Sequence, residues 1–193
     1  AYDVLHEELT GKEKALFLVL SGDIYDARDR GLRAQLRLRS GLERLSREGI
    51  RAFLIHGNHD PAGEGSSTIS WPSNTHVFGT EEVETVQVAD RYGSPTASVS
   101  GISYRTRERR HLHSHFRAPD SDLFHIAALH CNVGGDPNHE PYAPCELDDL
   151  LGREFHYWAL GHVHEMRVLH ERPYVIYPGN TQGRSVREPG PRG

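Results

Sequence analysis

Residues 50–60 read IRAFLIHGNHD, an apolar run that ends abruptly in polar side chains. Residues 50–55 are rich in branched and aromatic side chains, which predicts a buried strand. The strand leads directly into Gly57-Asn58-His59-Asp60, which offers amide, imidazole and carboxylate groups together. In α/β proteins, ligands bind where the carboxyl ends of strands open into loops. This stretch therefore predicts an α/β fold with a polar site at a strand end.

Three further apolar runs end in the same way. Residues 15–20 (ALFLVL) lead to Gly22-Asp23, residues 123–129 to His130, and residues 156–160 (HYWAL) to Gly161-His162-Val163-His164. We expect the four strand ends to converge in space. Each would then contribute an oxygen or nitrogen ligand, and the glycines would let the backbone turn tightly beside a substrate.

The remaining patterns complete an α/β organisation with a mixed sheet. Helical spacing of leucines predicts a helix over residues 32–48 and a short one over 146–151, and residues 2–14 resemble the end of an amphipathic helix. Alternation predicts a hairpin of residues 83–88 with 96–102, and a second strand pair of 166–170 with 174–177. Residues 61–73 are rich in glycine and serine and are predicted to form a loop.

Composition narrows the function classes. The formal charge of −5 argues against a protein that coats nucleic acid, although a bound metal cluster adds positive charge that this count ignores. The fourteen histidines are an unusually large number for this length and suit metal ligation. The two cysteines form no CxxC pair, which indicates a reducing, cytoplasmic setting. No apolar run reaches the roughly 18 residues of a membrane span, so no membrane contact is expected.

The ordered set GDIYD, GNHD, His130 and GHVH resembles the calcineurin-like metallophosphoesterase superfamily. The resemblance implies a four-layer α/β/β/α sandwich that holds two divalent metals, most simply manganese, with iron or another transition metal as the alternative. It implies that Asp23 bridges the metals, that Asn58, His130 and His162 bind the second metal, and that His164 binds the first. It further implies that His59 protonates the leaving oxygen, and that Asp26 and Asp60 orient the ligands or the His59 ring.

The segments YPGNTQGR (residues 177–184) and ALHCNVGG (residues 128–135) are similar to the DNA repair exonuclease branch of this superfamily, of the SbcD and YhaO type. That similarity implies an exo- or endonuclease subunit that hydrolyses phosphodiesters in DNA. It also implies a coiled-coil ATPase partner of the SMC type and a tendency to form a homodimer.

The sequence departs from the family pattern at one motif. The DxH motif of the first family strand does not occur before Asp23. We therefore expect residues 1–193 to be one nuclease domain truncated at both ends and incomplete at its N-terminus. The first metal would keep only Asp23 and His164, so we expect it to bind weakly and the activity of the chain to be impaired.

Two other functions stay open. One is a small-molecule phosphoesterase of the same fold, such as a nucleotidase, and the other is a non-catalytic remnant that keeps the fold. A basic stretch containing Arg105, Arg107, Arg109, Arg110 and Arg117 is either a solvated loop or a contact for DNA phosphates. Cys131, Trp71 and Trp158 are expected to be core residues, and His125 and His156 to be structural histidines with satisfied ring nitrogens.

Overall fold

The computed structural model describes residues 15–25, 31–63, 70–106, 111–135 and 140–181. Its elements follow one another along the chain as β1 (Phe17–Ser21), α1 (Leu32–Arg47), β2 (Arg51–Ile55), β3 (Thr75–Val77), β4 (Glu84–Ala89), β5 (Pro95–Gly101), the 3₁₀ helix η1 (Leu112–His115), β6 (Phe124–His130), α2 (Leu147–Leu151), β7 (Tyr157–Gly161), β8 (Arg167–Glu171) and β9 (Tyr174–Tyr177). Neither α-helix in the described residues has the length and apolar character that crossing a bilayer requires.

The strands form two sheets. In the first, β1, β2 and β3 are parallel, and Ser21 is in register with Ile55, so β1 and β2 end at the same level. The second sheet has the order β4-β5-β6-β7-β9-β8. Its central strands are parallel, and His130 is in register with Gly161, so β6 and β7 also end together. Both strand pairs therefore deliver their polar residues to one edge of the molecule.

The two sheets pack face to face, with an apolar layer between them. Its largest side chains include Phe53, Phe78, Val99 and Ile126, and it is completed by small residues such as Ala128. Small and large side chains together allow two sheets to approach closely while filling the space between them. This interface fixes how the strand ends of one sheet face those of the other.

A helical layer covers the outer face of each sheet. Helix α1 buries Leu38, Leu42 and Leu45, spaced at four and three residues, against the first sheet. On the second sheet, α2 and η1 pack over a core centred on Trp158 and Phe116. The predicted α/β/β/α layering is therefore confirmed.

The structure contains two elements that the sequence patterns did not predict. β3 has only three residues, too few to display an alternating pattern. η1 lies in the basic, histidine-rich stretch, where two buried apolar residues, Leu112 within the helix and Phe116 directly after it, have polar neighbours in the sequence. The predicted helix over residues 2–14 lies outside the described residues.

Candidate metal centre

Four strand ends converge on one polar cluster. Asp23 follows β1, Asn58 follows β2, His130 ends β6, and His162 follows β7. Ligand atoms of Asp23, His130 and His162 all lie within 4.8 Å of one another. The Asn58 amide oxygen lies between the two imidazoles, 2.9 Å from Nε2 of His130 and 3.1 Å from Nδ1 of His162. The cluster therefore combines one carboxylate, one amide oxygen and two imidazoles.

The ring of His130 faces acceptors on both sides. Its Nδ1 lies 2.8 Å from the carbonyl oxygen of Ser21, while Nε2 faces the Asn58 oxygen and lies 3.3 Å from Oδ2 of Asp23. A neutral imidazole carries a single N–H, so it can satisfy the acceptor on one side only. If Nδ1–H donates to Ser21, the lone pair of Nε2 points at two oxygens. In that tautomer the contact needs a positive charge between the nitrogen and the oxygens, either a proton on Nε2 or a metal ion.

His162 repeats this arrangement. Its Nε2 lies 2.9 Å from the carbonyl oxygen of Glu140, and its Nδ1 faces the Asn58 oxygen. When Nε2–H donates to Glu140, the Nδ1 lone pair points into the cluster. Metal-binding histidines characteristically use one ring nitrogen for the metal and the other N–H for a carbonyl or carboxylate. With these tautomers, both imidazoles offer a lone pair to one position.

Asp23 supplies the negative charge. Burial by itself would raise the pKa of this carboxyl, but the charge of His130 and the backbone N–H of His59 outweigh burial and hold the pKa well below its usual range. Burial would likewise lower the pKa of the His130 ring, and the Asp23 carboxylate reverses the effect and raises it. Oδ2 of Asp23 is buried and accepts no hydrogen bond from the described residues. A buried carboxylate oxygen without a hydrogen bond destabilises the folded state unless a cation lies beside it.

The separations fit a metal ion. Two ligand atoms about 2.1 Å from one ion and at right angles to each other lie about 3.0 Å apart. The observed separations of 2.9, 3.1 and 3.3 Å suit adjacent ligands of a single divalent ion. Mixed oxygen and imidazole ligands suit manganese or iron more than magnesium, which favours oxygen alone.

A family model described as calcineurin-like phosphoesterase matches residues 2–166, most of the chain. The chain belongs to the calcineurin-like phosphoesterase family. The predicted family and its α/β fold are both confirmed.

Two relatives of this phosphoesterase span almost the whole chain. The uncharacterised metallophosphoesterase YhaO of Bacillus subtilis is 40% identical over 184 residues, which cover 94% of this chain and 45% of YhaO. The DNA double-strand break repair protein Mre11 of Thermoplasma acidophilum is 25% identical over 196 residues, which cover 97% of this chain and 51% of that protein. The chain thus spans about half the length of these curated relatives.

Asp60 of the phosphoesterase accepts hydrogen bonds from the backbone beside the cluster. Its Oδ1 accepts N–H groups from Gly57 at 2.8 Å and Asp23 at 3.1 Å, and its Oδ2 accepts the N–H of Ile24 at 3.0 Å. Asp23 has a φ of 52°, an uncommon conformation for a residue with a side chain. The buried carboxylate therefore stabilises the turn that aims Asp23 into the cluster.

Two glycines make the close packing around His130 feasible. A Cβ at Gly57 would lie 2.7 Å from Cε1 of His130 and would also collide with Oδ1 of Asp23. A Cβ at Gly161 would lie 2.6 Å from Nδ1 of His130 and would collide with the Ser21 carbonyl. Glycine is needed here because the backbone passes directly against the ligands.

The other predicted site residues lie around this cluster. His59 is half-buried, and its backbone N–H donates to Oδ1 of Asp23 at 2.8 Å. His164 is also half-buried, lies outside the close group of ligand atoms, and accepts the N–H of Asn180 through its carbonyl at 3.0 Å. Asp26 lies outside the described residues. The assignments of His59 and His164 therefore stay predictions.

Several groups that hold the ligands had no sequence signal. The carbonyls of Ser21 and Glu140 orient the two imidazoles, and the Tyr104 hydroxyl donates to the carbonyl of His130 itself. Every residue has a carbonyl, so its role depends on the fold alone. Tyr104 has the aromatic character of a core residue, and its sequence position does not indicate that its hydroxyl bonds the His130 carbonyl.

The predictions that Cys131 and Trp158 are core residues and that His125 has partners at both ring nitrogens are confirmed. His156 is exposed and Trp71 is half-buried. Cys131 is buried, as is Cys145, and burial raises the pKa of the Cys131 thiol. His125 bonds Ser98 through Nδ1 and the Ser121 carbonyl through Nε2, and Nδ1 of His156 accepts the N–H of His125. Trp158 is fully buried, and Trp71 is partly buried against the α1 core.

The two arginines of the basic stretch that the structure describes, Arg105 and Arg117, make different contacts. Arg105 pairs with Glu81 at 3.2 Å, and both side chains are exposed. Arg117 donates instead to the carbonyls of Ser114 and Phe116. Arg107, Arg109 and Arg110 lie outside the described residues. Contact between these arginines and DNA stays a prediction.

Proposed function

We propose that this phosphoesterase hydrolyses phosphodiester bonds in DNA with the help of divalent metal, as the nuclease subunit of a repair complex. Membership of the phosphoesterase family supports the reaction class. The likeness to a DNA double-strand break repair protein along 97% of the chain supports DNA as the substrate. The YPGNTQGR segment points the same way.

The observation that carries the proposal is the set of acceptors around His130. Two oxygens face Nε2 while Nδ1 is occupied by Ser21, and the Asp23 carboxylate is buried beside them. We assign Asp23, Asn58, His130 and His162 to one divalent ion, and Asp23 with His164 to a second. Manganese is our first choice and iron the alternative. Such ions, when bound, polarise a phosphate ester and activate water for in-line attack.

The chain's own residues would prepare the substrate. Asp23 stays ionised across the physiological range because its pKa is depressed, so it balances metal charge without taking up a proton. The His59 side chain would donate a proton to the departing oxygen, a role that suits an imidazole near neutral pH. Asp60 would keep the Asp23 and Gly57 turns fixed while the substrate binds.

The test compares substrates under one set of conditions. The purified protein would be assayed with Mn²⁺ on single-stranded DNA and on a cyclic nucleotide. We expect hydrolysis of DNA that is abolished by EDTA and reduced at least about 10²-fold in Asp23→Asn. Preference for the cyclic nucleotide would favour a small-molecule phosphoesterase. Metal binding without turnover on either substrate would favour a non-catalytic protein.

The wider assembly is part of the proposal. The resemblance to repair nucleases implies an SMC-like coiled-coil ATPase partner and a homodimer, and the two cysteines outside any CxxC pair indicate a cytoplasmic location. Co-purification of a large ATPase with the tagged protein, and the mass of the protein in solution, would test the first two.

A further inference from the structure

Asn132 lies two residues beyond His130 and is almost completely buried. Its side-chain amide donates to the carbonyl of Glu140 at 3.3 Å. Its backbone N–H donates to the carbonyl of Tyr142, and its own carbonyl accepts the N–H of Cys145. One residue thus fastens three points of the loop formed by residues 140–145 to the end of β6.

The carbonyl held by Asn132 is the one that accepts Nε2–H of His162. The distance from Nε2 to the Glu140 oxygen is 2.9 Å, and the opposite nitrogen, Nδ1, lies 3.1 Å from the Asn58 oxygen. A hydrogen bond therefore runs from the Asn132 amide to the Glu140 carbonyl, and a second runs from the His162 ring to the same oxygen. Each ring nitrogen of His162 thus faces an oxygen, so the better-held acceptor favours the proton on its own side of the ring.

We propose that Asn132 is a positioning residue that selects the Nε2–H tautomer of His162 and so presents the Nδ1 lone pair to the metal. The inference rests on the metal centre assigned above and adds a residue outside it. An amide is suited to this position because its N–H₂ group donates to the carbonyl. A carboxylate would repel that oxygen, and an aliphatic side chain would leave it without this donor.

The orientation matters because His162 has little freedom to compensate. Its φ of 101° is uncommon for a residue with a side chain, and the ring packs edge-on against His130 with centroids 5.3 Å apart. Loss of the carbonyl partner would let the proton occupy Nδ1, the nitrogen that faces Asn58. A proton there excludes the metal from that ligand.

The direct test is ¹⁵N NMR of the histidine rings in metal-free protein near pH 8, combined with Mn²⁺ affinity by calorimetry. We expect His162 of the wild type to be the Nε2–H tautomer. In Asn132→Ala we expect a substantial Nδ1–H population and a Mn²⁺ affinity lower by about 10–100-fold. DNA hydrolysis is not measured, so a failed nuclease assay would leave this result standing.

Tyr177→Phe provides the matched control. The Tyr177 hydroxyl donates to the Cys131 carbonyl at 2.8 Å and accepts the Val133 N–H at 3.0 Å, so it holds the backbone on both sides of Asn132. The variant would loosen that backbone without removing the donor to Glu140. We expect its His162 tautomer to match the wild type. An equal tautomer shift in Tyr177→Phe would overturn the proposal, as would an unchanged tautomer in Asn132→Ala.

If Asn132→Ala fails to fold, two other measurements still test the role of Asn132. Asn132→Ser keeps a polar side chain that is too short to reach Glu140, and we expect the same tautomer shift. The wild-type ring is decisive by itself, because an Nδ1–H tautomer of His162 in the metal-free protein would contradict the proposed hydrogen bond.

Discussion

At the scale of single residues, His130 and Asp23 form a buried pair whose charges depend on each other. Burial disfavours the charged form of each, yet the imidazolium lies 3.3 Å from the carboxylate and their attraction outweighs that penalty. When His130 is protonated in the metal-free protein, its proton occupies part of the place that a metal would take. Protons and metal compete for this ring.

This competition gives a pH dependence with a defined sign. The pKa of His130 is raised above 6.5 in the folded state, so its contribution to stability is complete below about 6.5 and is lost as the pH rises through the folded pKa. We expect the melting temperature in EDTA to fall as the pH increases over that range. With saturating Mn²⁺ the trend should reverse, because metal binds the deprotonated ring.

Asp23→Asn is the control for the pH experiment. The variant removes the charge that raises the His130 pKa, so the fall of melting temperature with pH should become shallower than in the wild type. If melting temperature falls with pH equally steeply in the two proteins, other histidines must cause the pH dependence.

His59 and Asp60 are adjacent, but their substitution should have different consequences. His59→Ala keeps the backbone N–H that bonds Asp23, so we expect normal stability and metal affinity with DNA hydrolysis reduced about 10²–10⁴-fold. Asp60→Ala leaves three backbone N–H groups without their acceptor, so we expect a loss of about 2–4 kcal/mol in the free energy of unfolding. Urea unfolding would measure the stability of each variant, and Mn²⁺ titration its metal affinity. Equal destabilisation of both variants would refute the assignment of a structural role to Asp60 alone.

At the scale of elements, the turn after β9 supports two ligand segments. The Tyr177 hydroxyl at the end of β9 holds the backbone beyond His130, while the N–H of Asn180 donates to the carbonyl of His164. Between them, Gly179 has a φ of 76° and lies directly against the backbone of residues 164–166. The YPGN part of the sequence motif therefore supports the backbone of the segments that carry the candidate ligands His130 and His164.

Gly179→Ala tests this support. An added Cβ would lie 2.7 Å from the Met166 nitrogen and 3.0 Å from the His164 oxygen, so that segment must move. We expect a destabilisation of about 1–3 kcal/mol and weaker Mn²⁺ binding at the His164 position. Gly93→Ala is the matched control, because Gly93 has a φ of 86° with nothing near its Cβ position. Metal binding that weakens equally in both variants would mean that backbone strain alone is responsible.

At the scale of the whole molecule, the candidate metal ligands come from both sheets. Asp23 and Asn58 come from the first sheet, while His130 and His162 come from the second. An ion held by all four would cross-link the sheets at the edge of their shared apolar layer. Binding energy that is available only in the folded state stabilises that state.

We therefore expect Mn²⁺ to raise the melting temperature. At a concentration of 100 times the Kd the gain is about 2.7 kcal/mol, which corresponds to roughly 5–10 °C for a chain of this size. Asn58→Ala should lose most of that gain. His115→Ala removes an exposed imidazole from η1 and should keep all of it. A full shift in Asn58→Ala would mean that the stabilising metal binds elsewhere on this histidine-rich protein.

Much of the fold could be predicted because its signals are local. The apolar runs before Asp23, Asn58, His130 and His162 specify buried strands, and the polar residues after them mark the strand ends. β3 could not be predicted because pairing with β2, rather than its own three residues, makes it a strand. η1 was missed because the burial of Leu112 and Phe116 depends on the core around Trp158, which is distant in the chain.

The sequence by itself determined which side chains can bind metal and the order in which they meet the strand ends, because residue type and apolar patterning are properties of short segments. The tertiary structure alone decided which atoms face each other. The Ser21 and Glu140 carbonyls, the Asn132 amide and the ring nitrogens of His130 and His162 acquire their roles only when the two sheets pack. A carbonyl is the same group at every position, so its partner is set by distance in space and leaves no trace in the sequence.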